Sequence, residues 1–88
     1  MQKIKYTRED IKAVYDEVDR RIEFETKDGT FDTIVERWDY RAAMLQGVYG
    51  TLMVTAQNWP DVAFWTTVIE TRYDDEYEAV EAARKVRR

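Results

Sequence analysis

Apolar residues return at Ile11, Val14, Tyr15, Val18 and Ile22, the spacing of one face of an α-helix. Lys12, Asp16, Glu17, Asp19 and Arg20 occupy the other face and read as a solvated surface laced with ion pairs. Thr7 and Asp10 form a capping-box pattern at the start of this helix, and Glu9 and Asp10 suit the positive end of its dipole. Ahead of it, Gln2 to Tyr6 alternates with Ile4 and Tyr6 on one side, as a short strand or an arm would.

A second helical phase runs through Ile34, Val35, Trp38, Ala42, Leu45, Tyr49, Leu52, Met53 and Ala56. Between the two helices, Ile22, Phe24 and Thr26 alternate before Asp28-Gly29, and Phe31, Thr33 and Val35 alternate after it. Asp-Gly is a strong signal for a two-residue hairpin turn, so the pattern predicts a short β-hairpin over 22–35. The rival reading extends the first helix to Lys27, ends it at Gly29 and starts the next at Thr30 or Asp32. Asn58-Trp59-Pro60 breaks the second helix, because the residue before proline is pushed out of the α region. Pro60 then suits the first position of a third helix, with Val62, Trp65, Ile69, Tyr73, Tyr77 and Val80 as its stripe. The expected fold is mainly α with a small β element: an N-terminal helix, a hairpin, and a long helical hairpin broken at Pro60.

The stretch from Ala42 to Ile69 carries one formal charge, Asp61, in a chain that is 36% charged. Val62, Ala63, Phe64, Trp65, Val68 and Ile69 make the third helix apolar nearly all round, and such a helix is normally buried on every side. A chain of 88 residues buries only about 60–65% of its unfolded surface and cannot easily enclose it. A homo-oligomer that pairs this spine with copies of itself is therefore expected, as is a single domain over residues 1–88. Ala43, Gly47, Gly50 and Val54 share one small-residue face of the second helix. Glycine costs up to about 1 kcal/mol in a helix interior, so a close neighbour is expected there, either the third helix or a symmetry mate. With Trp59, Phe64, Trp65 and Val68, these residues form the expected interface.

Composition removes much chemistry. The chain has no cysteine, no histidine and no serine. Thiolate ligands, the commonest general base and a serine nucleophile are thus absent, as are a phosphate-cradling glycine loop and a nucleophile elbow. The net charge of −4, with both signs interleaved, argues against direct nucleic-acid binding. An acidic surface that mimics a phosphate backbone is disfavoured by the same interleaving. The N-terminus lacks the apolar core of a signal peptide, and Ala42–Ala56 is too short and polar to span a membrane. A cytoplasmic location, in a cell or an infected host, is expected.

Glu70, Asp74, Asp75, Glu78 and Glu81 form the best enzyme-like feature, because carboxylates gathered on helices can hold a divalent ion that activates water. At that level the chain is similar to the all-α nucleotide pyrophosphohydrolases of the MazG type. Their paired E-x-x-E and E-x-x-D signatures are not both present; Asp75-x-x-Glu78 and Asp16-x-x-Asp19 are the nearest spacings. Helical acids are more often solvated or paired, here with Arg72 and Arg84. No catalytic residue, metal or cofactor is assigned. The aromatic supply is the second feature: Trp38 and Tyr49, with Arg37, Arg41 and Arg72, could stack a base and fork a phosphate. The expected function is a small non-catalytic interaction protein that self-associates and binds or blocks a protein partner. In size, aromatic content and lack of catalytic groups it resembles the small inhibitors carried by phages. The alternative is an oligomer that sequesters a nucleotide-like molecule at those arginines and aromatics.

Overall fold

The computed structural model describes residues 2–86 and is mainly helical. In order the elements are α1 (Arg8–Lys27), α2 (Ile34–Thr55), α3 (Trp59–Glu70), a 3-10 turn (Thr71–Tyr73) and α4 (Asp74–Val86). The arrangement is elongated, with extents of 46 × 25 × 20 Å. α1 packs on α2 and α3, and α2 packs in addition on α4. The core is built from Ile11 and Tyr15 of α1, Leu52 of α2, Ala56 after it, Val62 and Ile69 of α3, and Tyr73 of the turn. Val18, Ile22 and Val80 are also buried. The stripes expected for α1 and for the third helix are thus turned inward, except for Tyr77, which is exposed.

The capping box of α1 forms as the sequence suggests. The Asp10 amide donates to Thr7 Oγ1 (3.1 Å), and the Thr7 amide donates to Asp10 Oδ2 (2.9 Å). The β-hairpin over 22–35 does not form, and no strand occurs among the described residues. α1 continues through that segment to Lys27, which leaves Ile22 buried while Phe24, off the stripe, is 64% exposed. Gly29 does adopt a positive φ of 79°, but in a helix stop rather than a hairpin turn. The Gly29 amide donates to the Thr26 carbonyl (3.2 Å) and the Thr30 amide to the Glu25 carbonyl (3.1 Å), the pattern of a Schellman motif. The same Asp-Gly pair serves either turn. Continuing the helix adds the Arg21–Glu25 (3.0 Å) and Lys27–Glu23 (3.3 Å) ion pairs, both at i,i+4 spacing. Thr33 then caps α2, its hydroxyl accepting from the Glu36 amide (3.1 Å).

The N-terminal segment is an arm held across the α2–α3 junction, paired by one isolated parallel bridge, Ile4 with Ala56. It satisfies groups that a helix end leaves orphaned. The Ile4 amide donates to the Thr55 carbonyl (2.8 Å) and Lys3 Nζ to the Val54 carbonyl (2.6 Å). Asn58 works in both directions. Its Nδ2 donates to the Tyr6 carbonyl (2.8 Å), its Oδ1 accepts from the Tyr6 amide (3.0 Å), and its own carbonyl accepts from the Asp61 and Val62 amides of α3. α3 begins at Trp59, so Pro60 stands at its second position rather than its first, and there too its missing N–H costs no hydrogen bond.

The single third helix expected from the stripe is instead divided by the 3-10 turn at Thr71–Tyr73. Thr66, Thr67 and Thr71 each donate a hydroxyl hydrogen back to a carbonyl of the preceding turn. Such back-bonding weakens the regular ladder of a helix, and here it leads into that turn.

Replacing Asn58 by alanine should cost about 1–2 kcal/mol, because two hydrogen bonds to the Tyr6 backbone disappear together. Chemical denaturation should show the loss, and hydrogen exchange should show the amides of Ile4 and Tyr6 losing protection before those of α1.

Candidate binding groove and exposed helical face

Six ionised side chains from four segments meet on one flank. Asp16 and Asp19 come from α1, Arg37 and Arg41 from α2, Arg72 from the 3-10 turn and Glu76 from α4. Arg72 Nη1 reaches Asp16 (2.9 Å) and Asp19 (2.8 Å). Arg37 reaches Glu76 (2.9 Å), and Arg41 Nη1 pairs with the other oxygen of Glu76. The Arg41 side chain is only 11% exposed, and its guanidinium lies 4.8 Å from the centre of the Tyr73 ring. Its Nε has no hydrogen-bond acceptor among the described residues; Asp19 Oδ1, at 3.9 Å, offsets the charge without closing the bond. Lys12 first and Arg72 second hold the Asp16 carboxyl below its usual range.

Two phenols complete the tie between α1 and the junction of α3 with the 3-10 turn. Tyr15 Oη donates to Glu70 Oε1 (2.8 Å), and Tyr73 Oη donates to Asp19 Oδ1 (2.7 Å). Burial, and then the hydrogen bond to a carboxylate, push both phenols well above the ordinary tyrosine value.

Beside this network, α2 and the α3–α4 segment flank a groove of about 720 Å³. Trp38, Ala42, Leu45, Gln46 and Tyr49 line it from α2, and Thr66, Thr67, Glu70, Tyr73, Asp74 and Tyr77 from the opposite side. The Trp38 and Tyr77 rings pack with centroids 5.5 Å apart. Of the residues expected to hold a nucleotide-like ligand, Trp38, Arg41 and Tyr49 come together here, while Arg37 and Arg72 do not line the groove. All three arginines are engaged with carboxylates. Arg37 and Arg41 stand on α2 and Arg72 in the 3-10 turn. Their partners Asp16, Asp19 and Glu76 lie far away in sequence, so the pairing left no local signal.

The expected interface residues divide. Ala43, Gly47, Gly50, Val54, Trp59, Phe64 and Val68 are exposed. Trp65 is half-buried and packs against the core, so it belongs to the inside of the chain. α3 is therefore not enclosed on every side: Phe64 is 65% exposed. The third helix is not the close neighbour of the glycines, since a Cβ added at Gly47 or Gly50 meets nothing within 4 Å. Among the acids, Glu81 stands 4.0 Å from Arg84, which also pairs with Asp39 (2.6 Å). No group of three acids positioned to hold a metal ion occurs among the described residues, and no described helix is long and apolar enough to cross a membrane. No protein-family model, curated protein or solved structure matches the chain.

Two outcomes follow from the network. Glu76→Gln strands two guanidinium groups and should cost roughly 3 kcal/mol, the low end for a buried pair that loses one partner. Arg41→Met removes the buried cation while Arg37 keeps Glu76 paired, so it should cost less; urea denaturation giving the reverse order would contradict this account. The raised phenols set the behaviour in alkali. Folded Tyr15 and Tyr73 hold their protons more tightly than the unfolded chain does, so their contribution is complete below the ordinary phenol value of about 10 and declines as pH rises above it. Tyr15→Phe with Tyr73→Phe should therefore flatten the alkaline fall in stability, and absorbance at alkaline pH should show these two phenols ionising only as the chain unfolds.

Proposed function

We propose that this chain is a small non-catalytic interaction protein that pairs with a copy of itself through the exposed face of α2 and α3 and binds or blocks a protein partner. One observation carries the reading. From Ala42 to Pro60 the chain has no charged side chain, yet its outward residues face solvent. In helical phase Ala43, Gly47, Gly50 and Val54 point away from Leu45, Val48 and Leu52. Phe64 likewise points away from Val62, Thr66 and Ile69. Two glycines on a solvent-facing helix cost up to about 1 kcal/mol each against alanine, and nothing inside this chain requires them. A second helix approaching the backbone closely supplies a reason for both. The large exposed apolar side chains beside them, Val54, Trp59 and Phe64, supply the area such a contact needs.

Glycine-to-alanine substitution separates the cases. In an isolated chain, Gly50→Ala should raise stability by up to about 1 kcal/mol. At a close helix contact it should instead weaken association. Sedimentation equilibrium is expected to give a dimer for the native chain, a weaker dimer for Gly50→Ala, and a monomer of unchanged helical circular dichroism for Val54→Glu. A native chain that stays monomeric at high micromolar concentration, with Gly50→Ala simply more stable, would overturn the self-association.

A further inference from the structure

The groove between α2 and the α3–α4 segment has an unbalanced charge. Arg41 lines it, but that guanidinium is taken up by Glu76 and the Tyr73 ring. Glu70 and Asp74 line it as well, and no basic side chain among the described residues stands within 4.0 Å of either. Glu70 is half-buried and has one hydrogen-bond partner, the Tyr15 hydroxyl, which occupies Oε1 alone. The remaining lining is largely aromatic and aliphatic, with Tyr49 and Tyr77 partly open to solvent.

We propose that this groove receives a lysine or arginine side chain carried on a short apolar segment of a protein partner. The inference rests on the interaction-protein reading above and names the chemistry of the partner. Glu70 Oε2 and the Asp74 carboxylate supply charge-assisted acceptors for an ammonium or guanidinium. The faces of Tyr49 and Tyr77 suit its cation, and Leu45 with Ala42 suits the alkyl stem and the apolar neighbours. A phosphate is disfavoured on the same ground. It would enter beside two carboxylates, and the three nearby arginines that could receive it are already paired.

The test is a titration followed by two-dimensional NMR of the labelled native chain. The probes are a capped pentapeptide with arginine flanked by leucines, the same peptide with glutamate in place of arginine, and adenosine monophosphate. The arginine peptide should give saturable shifts at the Trp38 indole and the Thr67 and Thr71 amides at millimolar concentration, weakening as salt is added. Asp74→Asn, which breaks no hydrogen bond of the fold, should weaken binding about tenfold, and Glu70→Gln by at least as much. Equal shifts with the glutamate peptide, saturation by the nucleotide but not by the peptide, or no saturable shift with any probe would each overturn the proposal. Neither variant touches the exposed face of Gly50 and Val54. A silent groove in a chain that still sediments as a dimer removes this inference alone and leaves the self-association standing.

Discussion

The arrangement of the four helical segments depends on one buried cation. Arg41 sits in the middle of α2 with its side chain almost wholly covered, and a charge in that position has to be compensated. Its compensation comes from outside α2: Glu76 on α4, Asp19 on α1 and the face of Tyr73 in the turn. Glu76 and Tyr73 can reach it because α4, beyond the 3-10 turn at Thr71–Tyr73, also packs against α2. Around Arg41 three guanidinium groups face three carboxylates, so the cluster is formally balanced. It works as a tie among segments more than as a source of net stability.

That balance shapes the surface beside it. Consuming every arginine on this flank leaves Glu70 and Asp74 as the unpaired charges of the groove, and it turns a site that composition alone would assign to an anion into one suited to a cation. The outward face of α2 has the opposite character. From Ala43 to Val54 it carries no charge, it is exposed, and it places two glycines where no other part of the chain comes within 4 Å. The two surfaces lie on adjacent sides of the same helix, since Ala42, Gln46 and Tyr49 line the groove while Ala43, Gly47 and Gly50 face out. A partner bound in the groove and a copy docked on the outer face would thus both be held by α2.

Much of this was legible in the residues, and the failures have specific causes. The α1 stripe, its capping box and the break before Pro60 are local patterns with local physics, and each appears where the residues place it. The hairpin failed because Asp-Gly fits two different turns, and the alternation of Ile22, Phe24 and Thr26 could not by itself show that Phe24 is left in solvent. Trp65 was assigned to an interface because apolarity says that a side chain is covered and not by what; here the chain's own core covers it.

Sequence alone determined the start and inward face of α1, the break ahead of α3 and the charge-free character of Ala42–Pro60, because helical spacing, capping and proline geometry act over a few residues. It also fixed the chemistry absent from the chain: without cysteine, histidine or serine, whole classes of site have no reacting atom. The tertiary structure alone decided which arginines are engaged, that Glu70 meets Tyr15, that a 3-10 turn divides the last helix at Thr71–Tyr73, and that Gly47 and Gly50 face open space. Those outcomes depend on pairs separated by up to 56 residues, such as Arg72 with Asp16, and charge pairing at that range leaves no periodicity for a reader of the sequence to find.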